Sequence, residues 1–222
     1  MYRDYFKSKI AIGTAQFGLN YGIANHSGKL SHAEMKKIIK FSIKNGIDTI
    51  ETAQSYGSCE KKLGAINVNK FKIITKLPIG TPNKNIKKWV FDAIKNSIKK
   101  LKVNKLHGLL IHDTKQLSGK YGKQIYKSLI ESKEKNLVNK IGISIYSMKE
   151  LKTVLSKYKL DVVLTPFNII DQRLKKTGWL YKLKKKKIDV YVRSSFLQGL
   201  LLMNKNQRPK IFKKWNKLFK RI

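Results

Sequence analysis

The chain has 222 residues and a mass of 25.7 kDa, enough for one large domain spanning residues 1–222. Apolar residues make up 41% and aromatics 10%; this excludes a disordered chain, and no apolar run is long enough for a membrane span. The formal net charge of +36 makes polyanion binding the first function to weigh.

Short apolar runs alternate with longer amphipathic segments. Ile10–Gly13 reads as the first strand. Ser31 is an N-cap with Glu34 three residues on, and Met35, Ile38, Ile39 and Ile43 follow at helical spacing until Asn45-Gly46. Ile47–Thr52 is the second strand and Phe71–Thr75 the third. Asn83–Lys102 is a helix with Ile86, Val90, Ala93, Ile94, Ile98 and Leu101 on one face. Leu106–Ile111 is the fourth strand, Tyr121–Asn136 a helix and Asn139–Ser144 the fifth strand. Ser147 caps a helix running to about Tyr158. Asp161–Thr165, a helix over Gln172–Lys187, and Ile188–Arg193 complete the series of seven strands.

Strands apolar on both faces and joined by helices imply a parallel sheet with right-handed crossovers. No GxGxxG follows the first strand, which argues against a dinucleotide-binding open sheet. Chemically capable residues follow several strands, where a TIM-type (β/α) barrel places its site. The expected fold is therefore an incomplete α/β barrel, with about seven of eight strand–helix units. After Pro209, Ile211, Phe212, Trp215, Leu218, Phe219 and Ile222 line one face of an expected amphipathic helix. That helix reads as the outer helix after strand seven in preference to a membrane-surface helix.

The 49 basic residues are 44 Lys and 5 Arg, whereas bidentate readout of phosphate or guanine favours Arg. The lysines are spread over every segment and read as solvated faces. No specific nucleic-acid partner is expected, although weak polyanion binding at low salt is. Met1–Lys9 has no apolar core of a signal peptide. The one cysteine, Cys59, allows no internal disulfide, so a cytoplasmic location is expected. No metal site is expected.

Glu51 and Tyr56 follow strand two, Lys76 strand three and His112 strand four. Successive strand ends of a parallel barrel converge on one mouth. A phenol beside an ammonium ion should have a lowered pKa and exchange a proton with a carbonyl/alcohol pair. Glu51 would fix Lys76, and His112 would orient the carbonyl oxygen. That division of labour suits hydride transfer from a nicotinamide.

The chain resembles the aldo-keto reductase family over nearly its whole length. The stretches that carry the resemblance are Ile12–Gly18, Asp48–Gly57 with Glu60, Ile73–Lys76, Leu109–Asp113, Ile141–Ser144 and Val192–Leu201. The resemblance implies a TIM barrel using NADP(H), or less often NAD(H), to interconvert carbonyls and alcohols. It maps the family's Asp-Tyr-Lys-His tetrad onto Glu51, Tyr56, Lys76 and His112. For the cofactor it leaves Gly13, Thr14, Ser144 and the turn Arg193, Ser194, Phe196 and Leu197, which would meet the pyrophosphate. The Arg193–Leu201 stretch is similar to a branch found near surface-sugar biosynthesis.

The chain departs from the family pattern at four places. Glu51 replaces Asp. Ile145 stands where an Asn amide holds the nicotinamide carboxamide, and Leu164 where a Gln does. The eighth strand and its helix are missing. The first reading is thus an NAD(P)H-dependent reductase of a small carbonyl substrate, with a homo-oligomer covering the open barrel edges. The second is a catalytically degenerate, truncated remnant of such an enzyme. The third is a basic binder of nucleic acid or anionic surfaces.

Overall fold

The computed structural model describes residues 9–215 and Phe219. In chain order the elements are β1 (Ala11–Gly13), α1 (Ala15–Gly18), α2 (His32–Lys44), β2 (Thr49–Glu51), α3 (Cys59–Ile66), β3 (Lys72–Lys76) and α4 (Ile86–Leu101). They continue with β4 (Leu106–Ile111), α5 (Lys115–Ser118), α6 (Gly122–Glu134), β5 (Val138–Ser144), α7 (Met148–Leu155), β6 (Val162–Pro166), α8 (Arg173–Lys176), α9 (Trp179–Lys185) and β7 (Asp189–Arg193). Three 3-10 segments follow, Leu200–Leu202, Lys205–Gln207 and Lys210–Trp215.

Every strand pairing is parallel, and the sheet runs in sequence order from β1 to β7. A doubly wound sheet would reverse its order at a switch point. This sheet does not, and it curves into a nearly closed (β/α) barrel. Among the described residues, β1 and β7 each pair on one side only.

The pleat sorts the side chains between two cores. Ile73, Leu109, Ile111, Ile141, Ile143 and Val163 pack outward beneath the helices in the main core. Ile74, Leu110, Val162 and Leu164 meet inside the barrel, with Tyr191 against them. The strands are not apolar on both faces throughout, because the inner face also carries charge. At its N-terminal end Lys72 pairs with Asp48 at 2.7 Å, and Lys140 pairs with Asp189.

Helix starts follow local chemistry. Ser31 and Glu34 form a reciprocal capping box at α2, and the Ser147 hydroxyl accepts from the Glu150 amide at α7. Three expectations need correction. Helix α3 has no counterpart in the sequence reading. It starts directly from the Tyr56-Gly57 turn, and its buried residues are Cys59, Glu60, Leu63 and Gly64, of which Leu63 is the one large apolar side chain. The helix expected over 172–187 is two, α8 and α9, because Gly178 takes a left-handed φ of 72° between them. The amphipathic helix expected after Pro209 is a 3-10 segment over Lys210–Trp215. The rest of that stretch lies outside the described residues, apart from Phe219, which is buried.

At the C-terminal rim, the loop after α1 reaches the loop after β7. The Ala24 amide donates to the Gln198 carbonyl at 3.3 Å. Gly199, at φ 89°, lies so close that a Cβ there would sit 2.7 Å from the Ala24 methyl. Ile23, Ala24, Leu197, Leu200 and Met203 form a satellite apolar cluster that Phe212 and Phe219 join. Ser194, Leu197 and Gln198 all adopt left-handed backbone, a strained arrangement that these contacts hold in place.

Candidate active site

Glu51 ends β2, Lys76 ends β3, and His112 follows β4 directly. Tyr56 sits on the turn after β2, where its amide donates to the Ala53 carbonyl at 3.0 Å and its carbonyl accepts from Cys59 at 3.1 Å. Gly18 presses on this turn. A Cβ at Gly18 would lie 1.7 Å from the Tyr56 carbonyl oxygen, so the first βα loop sets the height of the tyrosine.

The four residues meet. Lys76 is 1% exposed. Its Nζ donates to the Tyr56 hydroxyl at 2.9 Å, to the Thr52 carbonyl at 3.0 Å and to Glu51 Oε1. The Tyr56 hydroxyl also faces the same Glu51 oxygen at 3.5 Å, and the ammonium lies 4.6 Å from the Tyr56 ring centroid. The His112 ring stands edge-on to Tyr56, with centroids 6.3 Å apart.

Burial sets the protonation states. Burial, then the Glu51 carboxylate, pushes the Tyr56 phenol well above its ordinary value. This corrects the expectation of a lowered phenol: Lys76 is already matched by Glu51, and desolvation disfavours the phenolate. Burial also lowers Lys76, against the raising influence of Glu51. His112 is lowered to about 4 by burial first and by the Lys76 and Arg193 charges next. Its imidazole is therefore neutral near pH 7, and its Nδ1 is buried without a hydrogen-bond partner.

The residues expected to hold a cofactor are placed unequally. Gly13 is exposed at the end of β1, and Ser144 is buried at the end of β5. Thr14 is fully buried. Its hydroxyl donates to the Glu51 carbonyl at 2.9 Å and accepts from the Cys59 thiol at 3.3 Å, so it braces the wall behind Glu51. The Ser194 carbonyl accepts from the Asn168 amide at 3.2 Å. Leu197 packs in the satellite cluster, and Phe196 is exposed.

Arg193 turns across the mouth. Its Nη2 donates to the Ile145 carbonyl at 3.2 Å, and its guanidinium lies 4.1 Å from the Tyr146 ring centroid. Of the two residues expected to stand where the family has amides, Ile145 packs outward in the main core and Leu164 inward in the inner core. Neither side chain can offer a hydrogen bond at the mouth.

Sequence reading missed two neighbours, Tyr146 and Tyr21. Tyr146 follows β5 by two residues, a strand-end position that signalled it. Tyr21 lies on a long loop, and nothing in the pattern marked it, yet burial raises its phenol against the lowering influence of Arg193. Glu60 is buried behind β3, where Oε1 accepts from the Thr75 and Ser97 hydroxyls at 2.8 Å each. Asp113 is a turn residue, accepting from the Lys115 amide at 2.9 Å. Among the described residues, no helix is long and apolar enough to cross a membrane.

Comparison with known proteins places this geometry. No curated protein matches the chain significantly. Among solved structures, the glycerol dehydrogenase of Gluconobacter oxydans superposes with a TM-score of 0.69 at 22% identity, covering 94% of this chain and 67% of that one. The holo form of an aldo-keto reductase from Bacillus halodurans gives a TM-score of 0.70 at 18% identity over 87% of this chain, which spans 64% of that protein's length. An aldo/keto reductase from Brucella melitensis gives 0.64 at 19%, over 87% and 70% of the two chains. At these identities the likeness shows the fold. The model of the aldo/keto reductase family matches residues 9–221; the chain belongs to that family.

Proposed function

We propose that the protein reduces a small carbonyl compound to its alcohol with a nicotinamide as hydride donor and Tyr56 as general acid. The observation that carries this reading is the buried Lys76 ammonium, bound at once to Glu51 and to the Tyr56 hydroxyl at 2.9 Å, beside a neutral His112. The family resemblance supports this reading, with Glu51 standing where the family has Asp.

The nicotinamide, when bound, supplies the hydride to the carbonyl carbon. The protein supplies the proton. Tyr56 stays protonated at neutral pH and can give its proton to the oxygen as negative charge develops there. Lys76 stabilises the resulting phenolate, since an ammonium at hydrogen-bond distance favours the charged form. The Glu51 side chain, 14% exposed, links this buried pair to solvent, from which the proton is replaced. Neutral His112 holds the substrate oxygen with a ring N–H.

For the cofactor, Gly13 leaves the end of β1 open, Ser144 can meet the carboxamide, and the Arg193–Leu197 turn can meet the phosphates. The orphaned His112 Nδ1 at the mouth fits a site that a ligand completes. The surplus of cations favours NADPH over NADH. Residues 1–222 are taken to act as one domain in the cytoplasm, with a second copy covering the β1 and β7 edges.

The test is a titration with NADPH and NADH followed by a carbonyl screen with wild type and Tyr56→Phe. Saturable binding is expected in both proteins, with turnover about 10²–10⁴-fold lower in the variant. Equal turnover would remove Tyr56 from its role. Absence of cofactor binding by the folded protein would favour the degenerate reading that Ile145 and Leu164 suggest.

A further inference from the structure

We propose that Arg193 makes this a site for carbonyl substrates bearing a carboxylate, such as oxo acids or acidic sugars; this rests on the reductase reading above. Arg193 ends β7 on the inner side of the barrel, in register with Pro166 of β6. Its placement differs from that of every other cation at the mouth. Lys76 has its own carboxylate in Glu51, whereas Arg193 has no acid within ion-pair distance among the described residues. The nearby Asp171 is taken by Arg173 at 2.6 Å.

Among the described residues, two of the three buried side-chain atoms without a hydrogen-bond partner belong to residues at this mouth, Arg193 Nε and His112 Nδ1; the third, Glu60 Oε2, lies behind β3. A buried N–H without an acceptor is costly. A guanidinium presents five donors in a planar fork, and here its carbon lies 4.1 Å from the Tyr146 ring centroid with Nη2 anchored on the Ile145 carbonyl. Such a side chain is oriented before any ligand arrives.

With His112 neutral, Lys76 is matched by Glu51 and the nearby Asp171 by Arg173; the Asp113 carboxylate acts on His112 from the turn beyond it, and Arg193 is the cation at the mouth without an ion-paired carboxylate among the described residues. The Arg193 charge acts on Tyr56, Lys76 and His112 alike, so the guanidinium lies within electrostatic reach of all three groups. An anion seated on Arg193 would lie at the same barrel mouth as Tyr56, within that electrostatic reach. A carboxylate matches the fork in shape, charge and donor count.

The same fork would also accept a cofactor phosphate, and the experiment separates the two sources. Wild type, Arg193→Gln and Arg193→Lys are compared on phenylglyoxylate and its methyl ester, with NADPH affinity measured alongside. The wild type should favour the carboxylate over the ester. The ratio of the two kcat/KM values should fall tenfold or more in Arg193→Gln and by a smaller factor in Arg193→Lys, which keeps charge without the fork.

An unchanged ratio overturns the proposal and leaves the reductase reading standing. An unchanged ratio with a weakened NADPH affinity assigns the fork to the cofactor's phosphate. If neither compound is turned over, the reductase reading is left to the cofactor titration and carbonyl screen, and the arginine Nε–H resonances are followed by NMR as phenylglyoxylate is added to the protein alone. A saturable shift lost in Arg193→Gln upholds the anion site; no shift in the wild type rejects it.

Discussion

Replacing Glu51 by Gln separates a buried ion pair and exposes the energetics of the whole site. Lys76 is 1% exposed, and Glu51 is its one carboxylate among the described residues. Removing one partner of a buried pair costs about 3–5 kcal/mol, because the other charge stays desolvated. In Glu51→Gln the ammonium keeps Thr52 and Tyr56 as acceptors, so the lower end of that range is expected at pH 7.

The orphaned lysine can also shed its proton, and burial already pulls its pKa below the ordinary 10.5. Loss of Glu51 removes the main opposing influence. The native state then binds fewer protons than the unfolded chain between the lowered value and 10.5, so stability rises with pH in that window. The deficit of Glu51→Gln against wild type should therefore shrink from pH 7 to pH 10. Lys76→Met alone should cost a similar amount, and Lys76→Met with Glu51→Gln should recover much of it. Urea denaturation at pH 7, 8.5 and 10 measures all four proteins. Single variants within about 1 kcal/mol of wild type, or losses that simply add in the double variant, would refute a coupled buried pair.

Acid should act through His112. Its folded pKa of about 4 lies below the ordinary 6.5, so stability present above pH 6.5 is lost as pH falls towards 4. Full burial would make this about 3 kcal/mol; the ring is partly open to water, so roughly half is expected. A His112→Asn protein should show a flatter acid-denaturation profile. Gly18→Ala places a methyl 1.7 Å from the Tyr56 carbonyl and should cost at least about 2 kcal/mol by overpacking. It should also lower turnover, whereas Gly13→Ala, whose Cβ meets only Glu51 at 3.7 Å, should fold normally by thermal melting. Heparin retention should be strong at low salt and fall steeply by about 0.2 M salt, as expected for diffuse lysines.

The strand series was legible because parallel strands are short apolar runs bounded by turns, and all seven lie within about two residues of their expected limits. The convergence of Glu51, Tyr56, Lys76 and His112 was legible for the same reason, since strand ends in one parallel barrel must meet. What was hidden depends on the third dimension. The sign of the Tyr56 shift turns on burial outweighing a nearby ammonium. Arg193 read as part of a phosphate-binding turn, yet the inward face of β7 carries its side chain across the mouth. Helix α3 is short and buries a glutamate and a glycine beside Cys59 and Leu63, which leaves little amphipathic signature.

The clasp between Ala24 and Gln198–Gly199 has a consequence for local opening. Below it the wall between β1 and β7 has no ladder among the described residues, so those strands are fastened through the loops that frame the mouth. Subglobal opening should start at this seam, exposing the β1 and β7 amides to exchange before those of β3, β4 and β5. Each such opening carries Gly13 and Arg193 apart. The binding face would then come and go on the timescale of the seam, and a ligand bridging the two sides would slow exchange in both edge strands at once.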